Sequence, residues 1–223
     1  MNILDLLTTK YDLAPRTYIP SATMKTHIVL HGSLTRTRYT FTGQENTETV
    51  LMKKWNIMAD KYAGHYVVGR SGSIYNCIDD DYWTNHLALG KKFSDYNKDS
   101  LAVFLCNELY LTKQNNQFYA FGIDKPHNIY KGPTFEYGFR DYNLWADYDE
   151  LQIASLGRLL GNLCDKHGIP KTLFKYTTMT TPAAWREAGI VSCANMNPDS
   201  FSLPLPDWAL NKICETGKIE LVS

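Results

Sequence analysis

Thr26 to Gly32 reads T-H-I-V-L-H-G. His27, Val29 and His31 fall on one side of an alternating pattern, and Ile28 and Leu30 fall on the other. A period of two is the signature of a β-strand. Gly32 ends the run and leaves His31 at the strand's C-terminal end. In open α/β sheets this is where chemistry is presented. The stretch therefore predicts both a strand of a layered α/β fold and a candidate functional histidine.

The neighbouring segments extend this pattern. Asn46 to Tyr62 reads as a helix, with Leu51, Trp55, Met58 and Tyr62 recurring at helical spacing. H-Y-V-V-G-R, Ser71-Gly72 and S-I-Y-N-C-I read as strand, turn and strand, a hairpin. Ser100 to Asn107, S-L-A-V-F-L-C-N, is almost continuously apolar, as in a strand covered on both faces. Residues 112–145 are rich in Tyr, Phe, Asn and Gly without a clear period, and read as a surface insertion. A long helix follows. Asp147 is its expected cap with Glu150 three residues on, Ile153, Leu156, Leu160 and Leu163 form its apolar stripe, and Gly168 and Pro170 stop it. The tail from 170 reads as mostly irregular, with a short helix at Asp207 to Glu215. Interleaved strands and helices predict an α/β fold, a central mixed β-sheet flanked by helices. Residues 1–25 read as an arm packed on a single domain spanning 26–223.

Composition narrows the function classes. The 223 residues are 44% hydrophobic, enough for a substantial core. Lys+Arg and Asp+Glu both number 23, so nothing points to nucleic acid or an anionic membrane as partner. No segment has the apolar length of a membrane span, and the N-terminus has no signal-peptide pattern. Five scattered cysteines without a CxxC pair suggest reduced, mostly buried thiols. These features together predict a cytoplasmic protein, including the cytoplasm of an infected host cell. Of the six histidines, His31, His65 and His86 are candidates for a site. His65 opens a strand, where a packed, hydrogen-bonded ring is the plainer reading, and His86 lies in W-T-N-H-L-A-L-G. No HExxH, Walker loop, GxSxG or GxGxxG is present.

The order of segments resembles the zinc-dependent N-acetylmuramoyl-L-alanine amidases, the type-2 family that also includes phage lysozymes of the amidase kind and peptidoglycan recognition proteins. The resemblance runs through I-V-L-H-G-S (28–33), G-H-Y-V-V-G-R-S-G-S-I-Y (64–75), D-D-D-Y-W-T-N-H-L-A (79–88), S-L-A-V-F-L-C-N (100–107), Y-D-E-L-Q-I-A-S-L-G-R-L-L (148–160) and G-I-V-S-C-A-N-M-N-P-D-S-F (189–201). It implies a groove across the top of the sheet. It also implies hydrolysis of the amide between N-acetylmuramic acid and L-alanine, with zinc polarising the carbonyl and activating a water. A catalytic zinc needs three protein ligands and an open position.

The resemblance places His31 at the first ligand position and Cys193 where the family has its second histidine; no histidine follows His167. The third ligand falls near Ser202 and Leu203, neither of which binds zinc. The basic residue often preceding it is missing, with Ser200 and Phe201 nearby. Phe104 stands where the family has a glutamate on the central strand, and it cannot act as a base. A thiolate is a competent ligand, so His31 and Cys193 would hold a metal only if Asp199, Asp207 or His86 completed the set. The expected groove residues are His31, His65, Trp83, His86, Phe104, Asn107 and Cys193. No residue is assigned a catalytic role, and no cofactor is expected. The leading expectation is a binding module that has lost zinc and catalysis, holding a muropeptide, another small ligand or a protein partner. The alternatives are an active phage or host cell-wall lytic zinc amidase using His31 and Cys193, and a structural component of a larger particle.

Overall fold

The computed structural model describes residues 7–34, 47–57, 62–87, 94–120, 126–139, 141–175, 186–196 and 204–222. Its centre is the predicted strand pair. Strand β2 (His27–Leu34) runs parallel to β5 (Ser100–Asn107) over eight residue pairs, from His27 opposite Ser100 to Leu34 opposite Asn107. Every residue of β5 is buried. The strand is covered on both sides, which is why it reads as a continuous apolar run.

Six further strands complete an eight-stranded mixed sheet. In chain order these are β1 (Thr8–Lys10), β3 (Tyr66–Val68), β4 (Ile74–Asn76), β11 (Thr172–Phe174), β12 (Gly189–Ser192) and β13 (Glu220–Val222), and the spatial order is β1-β4-β3-β5-β2-β12-β11-β13. Only the predicted hairpin β3–β4 is antiparallel within it. Three strands correct the expectation of an irregular tail, and β1 corrects that of an irregular start. At three or four residues each, these strands are too short to show a period of two.

One face carries Ile28, Leu30, Leu101, Val103 and Leu105, which pack with the helix α3 (Glu150–His167) and the helix α5 (Asp207–Gly217). All four residues of the expected α3 stripe are fully buried. The helix starts two residues later than expected. Its N-cap is Asp149, without a side-chain cap, while Asp147 Oδ1 accepts from its neighbour's N–H, that of Tyr148. Gly168 closes the helix in the left-handed conformation, φ 66°. Gln152 Nε2 donates to the carbonyls of Val68 and Cys106, stapling the helix start to the ends of β3 and β5. A side chain cannot be added at Gly157 or Gly161, because a Cβ there would lie 2.0 Å from Thr216 Oγ1 or 2.4 Å from the Gly217 carbonyl oxygen. These glycines let α3 and α5 approach closely.

The other face carries Val67, Ala102, Phe104 and Cys106 under the helix α1 (Thr47–Ile57). The buried stripe of α1 is Glu48, Met52 and Trp55, with Leu51 only partly buried; Met58 lies outside the described residues. A glutamate on the inner face hid that stripe from an apolar count. The helix α2 (Ser94–Lys98) precedes β5, and the single-turn helix α4 (Cys193–Met196) follows β12.

The aromatic-rich stretch has its own strands. β6 (Leu111–Gln114), β7 (Gln117–Ala120) and β8 (Ile129–Tyr130) form one antiparallel sheet, and β9 (Thr134–Phe139) pairs with β10 (Tyr142–Ala146). Asn115 and Asn116 both have positive φ, 48° and 58°, which makes a two-residue type I′ turn. Four of the cysteines are buried and Cys214 is partly exposed. Among the described residues no helix is long and apolar enough to cross a membrane.

A buried ion network joins these parts beyond the C-terminal end of β3. Arg70 donates to Glu108 Oε2 (3.0 Å), Asp149 Oδ2 (3.2 Å) and the Asp147 carbonyl (2.8 Å). Glu108 is fully buried, so removing its partner strands a charge. Arg70→Met should cost about 3–5 kcal/mol in urea unfolding. Adding Glu108→Gln should recover much of that loss; equal losses in the single and double variants would show that the charge pair is not the source.

Candidate functional site

The parallel register brings four strands together; β2 continues through Gly32 to Leu34, so His31 lies three residues before the strand's end and not at it as the sequence suggested. His31 sits opposite Phe104, and Phe104 opposite Val67. Ser192 pairs with Leu30, so the next residue, Cys193, emerges beside His31. Cys193 packs with Val29 and Val191 on the side of the sheet that carries His31. His31, Phe104 and Cys193 thus form a row across three neighbouring strands, each about 97% buried.

Phe104 fills the floor of this row. Its ring lies flat on the His31 imidazole, with centroids 4.4 Å apart and planes 9° apart. Trp55 and Tyr62 meet it edge-on at 5.0 and 6.2 Å. Gly64 lets the ring fit: a Cβ there would lie 2.4 Å from Phe104 Cδ2. Burial, followed by the proximity of Cys193, pushes the Tyr62 phenol above its ordinary value.

The histidines form a directed chain. Ser100 Oγ donates to the Tyr96 carbonyl at 2.6 Å, which uses its only hydrogen. The 2.8 Å contact with His86 must therefore be His86 Nε2–H donating to Ser100 Oγ. His86 Nδ1 is then a lone pair, and His31 Nε2–H donates to it at 2.9 Å. Backbone N–H groups of His86 and Leu87 both donate to Asn97 Oδ1, fixing the segment in place. Both imidazoles are neutral: burial, then the neighbouring His65, holds His31 down at about 3, and burial, then His31 and His65, holds His86 well below its ordinary value.

The other expected groove residues have structural partners. His65 is fully buried; its Nδ1 accepts from Ala102 N–H at 3.0 Å and its Nε2–H donates to the Tyr82 carbonyl at 3.1 Å. Trp83 bridges to Ile19 through its backbone, with Lys98 Nζ 5.6 Å from its ring centre. Asn107 accepts from Leu109 N–H and donates to the Ala146 and Asp147 carbonyls, holding the chain after β5. Ser100, Asn97, Tyr62 and Gly64 belong to the site and were not anticipated. Alternation along β5 puts Ser100 on the Phe104 face, but its contact with His86 joins segments that no local pattern connects.

Among the described residues no three His, Cys, Asp or Glu side chains converge as a metal site. Two of the possible third ligands are placed. His86 has both nitrogens committed, and Asp207 starts α5, which packs on the opposite face of the sheet. Asp199, Ser200, Phe201, Ser202 and Leu203 lie outside the described residues. Among the described residues His31 and Cys193 lie side by side, and a catalytic zinc takes three protein ligands.

A family model described as N-acetylmuramoyl-L-alanine amidase matches residues 22–184. The chain belongs to this family. The mixed sheet flanked by helices is the fold the resemblance implied. Comparison with curated protein sequences gave no match. Solved structures similar to this amidase-family chain include a mutant endolysin from Bacillus subtilis (12% identity, 95% of this chain and 97% of that chain, TM-score 0.48). They also include the N-acetylmuramoyl-L-alanine amidase LysC from Clostridium intestinale (12% identity, 95% and 99% coverage, TM-score 0.46). A third is the Ph2119 endolysin from a Thermus scotoductus bacteriophage (14% identity, 93% and 99% coverage, TM-score 0.47).

Two outcomes follow from the packing and the buried rings. Gly64→Ala should destabilise by about 1–3 kcal/mol through overpacking against Phe104. Phe104→Leu in the same chain should relieve part of that cost, and strict additivity would refute the clash. His65 is held down at about 4 by burial first, then by Lys25 and His167, against the Tyr82 carbonyl and Asp80. Its unfolded value is about 6.5, so the unfolded chain binds protons first as pH falls. The stability it contributes is complete above about pH 6.5 and is lost as pH drops towards about 4. A His65→Gln variant should be less stable at pH 7 but lose less between these values, the difference amounting to as much as about 3 kcal/mol. Parallel stability–pH curves would rule this out.

Proposed function

We propose that this member of the amidase family has lost the zinc centre and hydrolysis and works as a binding module, with a muropeptide as the favoured ligand in the former active-site groove. The observation that carries this reading is the Phe104 ring lying flat on His31, where the family resemblance expects a glutamate. An apolar ring in that place supplies no general base. The commitment of His31 Nε2–H to His86 supports it further, since it ties the histidine into a neutral buried chain. Peptidoglycan is the substrate of the family's reaction, which makes its fragments the ligands to try first.

A second reading keeps the enzyme. Cys193 beside His31 retains two ligand types able to hold zinc, and a third donor would make an active amidase. Zinc retention separates the two. The protein is incubated with excess zinc, desalted and assayed for metal, and muropeptide binding and cleavage are followed on the same preparation. The expected result is essentially no retained zinc, binding of the muropeptide and no cleavage. Near one zinc per chain together with cleavage would overturn the proposal.

A further inference from the structure

Glu48 is a buried carboxyl that neither reading of the His31 row uses. It lies in the first turn of α1 and is 3% exposed. Its side chain rests on the backbone just past β3, where a Cβ added at Gly69 would overlap Glu48 Oε1. The carboxyl accepts from its own backbone N–H and from that of Arg70. Among the described residues its Oε2 has no hydrogen-bond partner.

No cation among the described residues forms an ion pair with it. The Arg70 guanidinium is committed to Glu108, Asp149 and the Asp147 carbonyl. Lys53 and Lys54, on α1 itself, are exposed. β5 brings the buried thiol of Cys106 and the Glu108 carboxylate already held by Arg70. After β4 comes Cys77, whose thiol donates to Met52 Sδ. Tyr62 and Tyr75 border the same cluster with hydroxyls, and His31, across Phe104, is neutral. A carboxylate in a first turn is ordinarily favoured by the helix N-terminus. Here burial outweighs that preference and the two N–H contacts, and holds the carboxyl above its ordinary value of 4.5.

The helix that carries Glu48 covers Phe104. Met52 and Trp55 pack in one cluster with Phe104 and Val67, and Trp55 meets the Phe104 ring edge-on at 5.0 Å. The far end of α1 is tied differently: Asn56 Oδ1 accepts from Ala14 N–H at 2.7 Å, and the Asn56 carbonyl accepts from Arg16. One end of the helix is thus held by bonds that ordinary pH leaves alone, and the other rests on a group that titrates. We propose that α1 is a proton-controlled lid over Phe104: with Glu48 protonated its first turn sits on Gly69, and ionisation of the unpartnered carboxyl lifts that turn and uncovers the row. The shut state binds the proton more tightly than the open one. Closure is therefore fully favoured below about pH 4.5 and weakens as pH rises through the shut-state value. The lid governs access to the row and holds whichever ligand or metal the row takes.

The test is amide hydrogen exchange of the full chain, read by mass spectrometry from about pH 5 to about pH 8 and corrected for intrinsic exchange rates. Protection of residues 47–57 should fall about tenfold or more across this range, as for a carboxyl shifted by about one unit. Protection of α3 should stay level. Glu48→Gln keeps the shape and cannot ionise, so it should hold 47–57 at every pH at or above the protection of the wild-type chain at low pH. Glu48→Met is the second neutral variant should the first fail to fold, and the wild-type profile is decisive on its own. Protection of 47–57 that is level with pH in the wild-type chain, an equal fall in a neutral variant, or a fall shared by α3 would each overturn the proposal.

Discussion

The eight-residue parallel ladder between β2 and β5 is the constraint on which the rest of the molecule depends. Backbone groups buried on both sides must pair with each other, because no water reaches them. Once His27 is opposite Ser100, alternation decides the rest. Ile28 and Leu30 join the cluster under α3, while Val29 and His31 point the other way. A slip of one residue would exchange the two faces and push both histidines into the apolar cluster. The same register sets Phe104 against His31, and the next ladder brings Cys193 alongside.

The chemistry of the His31 side follows from its dryness. A buried charge is costly unless paired, and among the described residues His31 and His86 hydrogen-bond to each other and to Ser100 rather than to a carboxylate. The rings therefore stay neutral and satisfy one another in a chain that ends on Ser100 and a backbone carbonyl. The Arg70–Glu108 pair and the Asp80 cluster show the other solution, in which buried charge is tolerated because each group meets an opposite one. The Phe104 ring takes the space at one end of the row, between His31 and Gly64.

Two regions of the sheet thus have different characters. The row of Phe104, His31 and Cys193 is buried and mostly apolar. The region around Asp80 is polar and borders a pocket. The register keeps them close: Tyr66, whose hydroxyl donates to Asp80, pairs with Val103, the residue before Phe104.

Much of this was legible in the chain itself. The strand at 26–32, the hairpin, the buried central strand and the stripe and stop of the long helix are local patterns of period two or 3.6, repeated often enough to stand out, and the order of segments pointed to the family. Strands of three or four residues were not legible, since so few positions show no period, and neither was the inner face of α1, where a glutamate interrupts the apolar count. The paired asparagines at 115 and 116 were a turn signal within reach. Which of the candidate residues meet was decided by tertiary structure alone. The sequence singles out His31 and Cys193 as ligand positions and groups them with His65, Trp83, His86, Phe104 and Asn107, without saying which of these touch. Only the register between strands distant in the chain places Phe104 on His31 and Cys193 beside it, and only the packing of the segment around residue 86 against α2 and β5 turns His86 towards them. It leaves His65 and Asn107 holding backbone instead, because side-chain hydrogen bonds across tens of residues are set by where the sheet brings the chain together.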